Sequence, residues 1–69
     1  MSKEENLLVK LHNSVIDFTA DLLELGYTLN ESLKFGLRFI YNQKETLDLS
    51  TNDFVELESK YLEKIIAVS

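Results

Sequence analysis

The chain has no proline and only two glycines among its 69 residues, so very little in it interrupts a helix. Proline and glycine most strongly end regular structure, whereas leucine, glutamate and lysine, which favour helices, are abundant here. The alternation of apolar and polar residues that is typical of a half-buried strand is missing. The sequence therefore predicts a small all-α fold, which we expect to form one domain over residues 1–69.

Cap signals divide the chain into three predicted helices. These span about residues 3–25, 29–44 and 51–68. Gly26 is placed to end the first helix, because glycine is the usual C′ residue of a left-handed cap. Thr28 and Glu31 have the spacing of a capping box at the start of the second helix. Ser50 or Thr51 precedes the third helix as an N-cap.

The long first helix is amphipathic, and one of its faces is apolar along its whole length. Its apolar residues recur at spacings of three and four, as in a heptad seam. This leucine seam consists of Leu8, Leu11, Val15, Phe18, Leu22 and Leu25. Val9, Ile16 and Leu23 form a flanking row beside it. A chain of about 70 residues has a marginal core on its own, so we expect a homodimer that packs through the leucine seam.

Gly36 lies on the core-facing stripe of the predicted second helix, together with Leu33 and Ile40. Glycine inside a helix costs about 1 kcal/mol relative to alanine. We therefore interpret Gly36 as a point of close approach between helices.

Composition removes several classes of function. The chain has no cysteine, which excludes disulfides, thiolate zinc sites and cysteine nucleophiles. Its apolar runs are too short to cross a membrane. The one histidine, His12, lacks the neighbours that catalysis or metal binding requires, and no glycine-rich phosphate loop occurs. We therefore expect a cytoplasmic protein that is not an enzyme and binds neither metal nor cofactor.

Negative charge dominates the chain, with 12 acidic and 7 basic residues and a formal net charge of -5. Asp17, Asp21 and Glu24 share one face of the first helix, because their spacings are four and three. The third helix adds Glu56 and Glu63. Regularly spaced carboxylates can occupy the basic groove of a nucleic-acid-binding protein. We therefore predict a small, phage-like regulator or inhibitor that binds a basic host or cellular protein by mimicking nucleic acid.

Other interpretations of the charged residues stay open. The carboxylates of the first helix can pair instead with Lys34 and Arg38, either across the bundle or across the dimer. Basic and aromatic residues also interleave along the second helix, as on surfaces that hold phosphates and stack bases. That patch consists of Lys34, Phe35, Arg38, Phe39 and Tyr41. It makes a dimeric RNA-binding regulator the first alternative function, ranked below protein binding because the chain is acidic. An assembly or scaffold subunit is the second.

Overall fold

Three helices account for nearly all of the part of the chain that the structure describes. The structure is a computed structural model that describes the backbone of residues 3–68 and the side chains of residues 6–67. In it α1 spans Lys3–Glu24, α2 spans Leu29–Thr46 and α3 spans Thr51–Val68. Residues 3–68 contain no strand. The prediction of a small all-α domain of three helices with a long first helix is confirmed.

Ring contacts between the helices show an up-down-up bundle. Along α1 and the turn after it, Phe18 meets Phe39 and Tyr27 meets Phe35, so α2 runs antiparallel to α1. Tyr61 packs at Gly36 and Phe54 at Tyr41, so α3 runs antiparallel to α2. The bundle measures 36 × 21 × 16 Å. Its long dimension matches that of α1, since a helix of 22 residues is roughly 33 Å long.

The core takes apolar side chains from all three helices. Its fully packed members are Leu11, Val15, Ile40, Leu57, Tyr61 and Ile65. Thr19 and Ser32 are buried among them. The Thr19 hydroxyl donates to the Val15 carbonyl at 2.8 Å and lies 2.7 Å from the Tyr61 hydroxyl. Because the single proton of Thr19 is used in the first bond, the Tyr61 hydroxyl donates in the second.

The turn between α1 and α2 follows the cap signals in the sequence. Gly26 has a φ of +103°, and its N–H donates to the Leu23 carbonyl at 3.1 Å. The N–H of Tyr27 donates to the Leu22 carbonyl at 3.1 Å, which completes a Schellman motif. Thr28 and Glu31 form the reciprocal bonds of a capping box.

The connection between α2 and α3 differs from its prediction at one end. α2 runs on to Thr46, two residues beyond the predicted end, because no breaker occurs in its polar last turns. It ends through Asp48, whose φ is +53°, and the Leu49 N–H reaches back to the Lys44 carbonyl at 3.0 Å. α3 begins at Thr51, with the Ser50 hydroxyl accepting from the Asp53 N–H at 3.1 Å.

Asp48→Gly should stabilise the fold by up to about 1 kcal/mol, because a left-handed conformation costs glycine almost nothing. The measurement is the urea midpoint of unfolding. Asp48→Ala is the matched control, since it removes the same charge but keeps the Cβ atom. If the alanine variant gains as much stability as the glycine variant, the gain comes from the charge and the backbone account is wrong.

The leucine seam faces the core of its own chain. Leu11 and Val15 are buried within it, and Leu8, Phe18 and Leu22 are half-buried in the same chain. These side chains are therefore not the uncovered surface that the dimer prediction assumed. Leu25 does not belong to the seam as predicted. It lies after the end of α1 and is 77% exposed, because the turn at Gly26 directs it away from the bundle.

Candidate interaction surfaces

The acidic stripe of α1, formed by Asp17, Asp21 and Glu24, lies in solvent. All three side chains are exposed, and none is within 4.0 Å of a basic nitrogen among the described side chains. Lys34 and Arg38 are exposed as well and form no ion pair in that part of the chain. The structure therefore does not contain the internal pairing between these basic residues and the stripe.

The carboxylates of α3 stand in a different electrostatic setting. The carboxylate of Glu56 lies 3.3 Å from the ammonium of Lys60, one helical turn further on. Glu63 is exposed and lies three residues beyond Lys60 and next to Lys64. The outer face of α3 thus mixes both signs of charge, whereas on α1 the stripe carries only negative charge between residues 17 and 24.

The basic and aromatic residues of α2 do not form one surface. Lys34, Arg38 and Tyr41 are exposed on the outer face of the helix. The ring of Phe39 turns inward and stacks on Phe18, with 5.5 Å between ring centroids. Phe35 meets the ring of Tyr27 edge-on, at a centroid distance of 5.8 Å. The predicted RNA patch therefore keeps its basic residues and Tyr41 but uses Phe39 for packing.

A second row of residues on α1 is exposed beside the acidic stripe. Val9 is 57% exposed and Leu23 40% exposed, and Ile16 between them is half-buried. The exposed residues Asn13 and Ala20 alternate with them along the same face. We call these five residues the outer row. The sequence shows its apolar members, but only the packing of the leucine seam reveals which of them are left in solvent. Val9 and Leu23 are exposed, whereas Ile16 packs against the core.

His12 lies on the flank of α1 next to α3. Burial, followed by the positive charges of Lys60 and Lys64, lowers the pKa of His12 below its ordinary value. Its Nδ1 atom is buried and has no hydrogen-bond partner among the described residues. A buried ring nitrogen without a partner loses its hydrogen bonds to water and gains none within the chain. Its burial therefore costs free energy.

An open cleft of about 440 Å³ lies where the start of α1 meets the α2–α3 connection. Leu7, Leu49, Asp48 and Asp53 are among the residues that line it. Across residues 6–67 no three His, Cys, Asp or Glu side chains converge as metal ligands would.

None of the three helices, over the residues that the structure describes, is long and apolar enough to span a bilayer. Comparison with protein-family models, curated proteins and solved structures gives no match to this chain.

Proposed function

We propose that this protein is a non-catalytic helical module that binds a basic protein surface through the acidic stripe of α1. The observation that carries the proposal is the exposure of three carboxylates with no ion pair to any described side chain. A basic partner can therefore approach these groups without breaking a salt bridge inside the fold. Such surfaces steer association electrostatically and give it a strong dependence on salt.

The stripe disfavours the helix that carries it, which supports a role in binding. Carboxylates at spacings of three and four repel one another. Asp21 and Glu24 also lie at the negative end of the α1 dipole, and the last turn of α1 contains no basic residue. Each effect lowers helix stability by a few tenths to about 1 kcal/mol. Lysine at these positions would serve stability better, so the stability of α1 gives no reason for carboxylates here.

The dimensions of the stripe are those of a short piece of nucleic-acid backbone. From residue 17 to residue 24 the helix rises roughly 10.5 Å. One DNA strand places a phosphate about every 3.4 Å along its axis, so this rise equals about three phosphate steps. Three carboxylates over that length give a comparable density of negative charge, which supports a groove rich in lysine and arginine as the binding site on the partner.

Reversing Asp17, Asp21 and Glu24 to lysine should abolish binding to the basic partner while the fold is kept or slightly stabilised. Immobilised wild type and variant are used to capture protein from a cell lysate over a range of salt concentrations. Circular dichroism checks the helix content of both. The protein that binds to wild type and not to the variant should be released by salt, because charge interactions are screened over about 8 Å at 0.15 M. Added duplex DNA should release it as well.

The matched control reverses Glu45, Glu56 and Glu63 to lysine. It changes the net charge by the same amount at exposed positions outside α1, so it should keep the partner. Equal binding by the α1 variant, or equal loss in the control, would contradict the proposal.

RNA binding remains the second candidate because Lys34 and Arg38 are exposed and unpaired among the described side chains. Phosphate groups could reach both residues, which lie one turn apart on α2. A gel shift with a labelled single-stranded RNA at physiological salt distinguishes the two functions. Binding that is lost in Lys34→Glu/Arg38→Glu and kept in the α1 variant would replace the protein-binding proposal.

A further inference from the structure

His12 is the only histidine of the chain, and it lies where α1 packs against α3. Histidine is the side chain whose charge ordinarily changes in mild acid, near pH 6.5, whereas carboxylates titrate near pH 4. The Nδ1 atom of His12 is shut off from solvent and has no hydrogen-bond partner among the described residues. The contact between α1 and α3 therefore contains one group that mild acid can charge.

The buried nitrogen favours the neutral form of the ring. A neutral imidazole has one proton and can carry it on Nε2, which leaves only a lone pair at Nδ1. The charged ring has a proton on both nitrogens. It would place an N–H group at Nδ1, where the described residues offer no acceptor. Because a buried donor without an acceptor suffers the full cost of its desolvation, protonation of His12 opposes this packing.

The charges that α3 brings to His12 are positive. They belong to Lys60 and Lys64, and both disfavour a charged ring. The carboxylate of Glu56 lies 3.3 Å from the ammonium of Lys60, and Glu63 is exposed. Neither carboxylate reverses the effect of the two lysines on His12. Like charges in contact repel, so a charged ring would weaken the packing of α3 on α1.

The neighbours of His12 on its own helix do not stabilise a charge either. Leu8 and Ile16, one turn before it and one turn after it, are apolar and pack against the core. Lys10 and Asp17 point to other sides of α1, about 160° and 140° around the helix axis from His12. The carboxylate of Asp17 is therefore turned away from the ring.

The charged side chains of α2 at this end of the bundle are engaged elsewhere. The ammonium of Lys44 lies 5.6 Å from the centre of the Phe54 ring, and Glu45 is hydrogen-bonded to the Tyr41 hydroxyl. Neither of these two charges acts on His12. Over the described side chains, no carboxylate of the bundle is placed to hold an imidazolium at position 12.

We propose that His12 makes the contact between α1 and α3 sensitive to acid, so that protonation of this single ring loosens the bundle. The proposal is independent of the binding of a basic protein, because His12 does not belong to the acidic stripe. Mild acid would thus weaken the packing of α3 before the carboxylates of the chain take up protons.

The direction of the effect follows from the pKa of His12, which burial lowers most, followed by Lys60 and Lys64. The unfolded chain has the ordinary value of about 6.5 and therefore takes up its proton at a higher pH than the folded chain. The contribution of His12 to stability is complete above that value and is lost as the pH falls through it. The loss ends once the folded chain is protonated as well.

Proton NMR of the His12 ring tests the protonation step in the intact chain. The titration midpoint of the folded chain should lie below that of the chain unfolded in urea. Lys60→Gln/Lys64→Gln should raise the folded midpoint towards the unfolded one. Lys34→Gln/Arg38→Gln removes the same charge from the outer face of α2 and is the matched control, which should move the midpoint less. A folded midpoint equal to or above the unfolded one would overturn the proposal.

Urea unfolding at about pH 7.5 and pH 5.5 tests the consequence for the fold. The wild-type midpoint should fall between these pH values relative to that of His12→Gln, whose side chain stays neutral. His12→Leu, which matches its apolar neighbours, is a second neutral variant and should behave as His12→Gln does. Lys60→Gln/Lys64→Gln should show a smaller fall than wild type, because the repulsion comes from α3. Equal falls in wild type and both neutral variants would mean that His12 does not make the bundle sensitive to acid.

Discussion

Gly36→Leu is expected to destabilise the protein by about 1–3 kcal/mol, the usual cost of overpacking a core. A Cβ atom at Gly36 would overlap the Tyr61 hydroxyl, lie 2.5 Å from Cζ of the same ring and 3.1 Å from the Thr19 hydroxyl oxygen. Tyr61 is fully buried, so its ring has no free space to move into. Even Gly36→Ala should therefore lower stability, although alanine favours a helix by about 1 kcal/mol.

Thermal unfolding followed by circular dichroism measures this effect. For a domain of this size each kcal/mol corresponds to a shift of about 4–8 °C in Tm. Asn42→Leu and Asn42→Ala are the matched controls, because Asn42 lies on the exposed face of the same helix. They should leave Tm almost unchanged or raise it slightly. A higher Tm in Gly36→Leu would mean that this face of α2 is not packed as the structure shows.

The close contact at Gly36 shows how far the sequence alone can reach. A glycine on the apolar stripe of a helix signals that something approaches closely, and this inference needs only the pattern within one helix. The approaching group is the Tyr61 hydroxyl, which belongs to another helix. Its partner Thr19 belongs to α1, so the contact involves all three helices. Which side chain fills the space depends on how the three helices are rotated against one another, and no local pattern contains that information.

The helix ends show the same division, because local residues predict some of them and not others. Gly26 and the Thr28–Glu31 box are residues whose side chains, or lack of one, favour a cap directly, and both form as predicted. The end of α2 depends on Asp48 in a left-handed conformation. Aspartate adopts this conformation more often than most residues but far less readily than glycine, so its presence at position 48 is a weak signal for a helix end. The polar residues 42–45 predict an earlier end of α2. That prediction is wrong because several of these residues also favour helix.

The surfaces of α1 were harder to predict because the helix has two heptad patterns. Periodicity shows that both faces can pack, and greater hydrophobicity favours the leucine seam as an interface. Inside one chain that same hydrophobicity makes the leucine seam the core, which leaves Val9 and Leu23 in solvent. The exposure of Asp17, Asp21 and Glu24 then follows from the same rotation of α1 about its axis.

Thr19→Val is the other change with a large expected effect, a loss of about 1–3 kcal/mol. It removes the acceptor of the Tyr61 hydroxyl, which is buried at the centre of the bundle. A buried donor that loses its partner suffers the full cost of its desolvation. Tyr61→Phe should cost less, because Thr19 keeps its bond to the Val15 carbonyl. Removing both hydroxyls in Thr19→Val/Tyr61→Phe should recover most of the stability lost in Thr19→Val.

The double-mutant cycle measured by urea unfolding gives the coupling between the two hydroxyls. The fall of the free energy of unfolding at alkaline pH gives an independent check. Burial raises the pKa of Tyr61 above its ordinary value. The unfolded chain therefore ionises Tyr61 first, near pH 10, and wild-type stability should fall as pH rises further. Tyr61→Phe should lack this part of the fall, because it has no hydroxyl at position 61 to ionise. Two results together would show that the Tyr61 hydroxyl is in contact with water instead of with Thr19. The losses of stability in the cycle would be additive, and the stability of Tyr61→Phe would fall at alkaline pH as much as that of wild type.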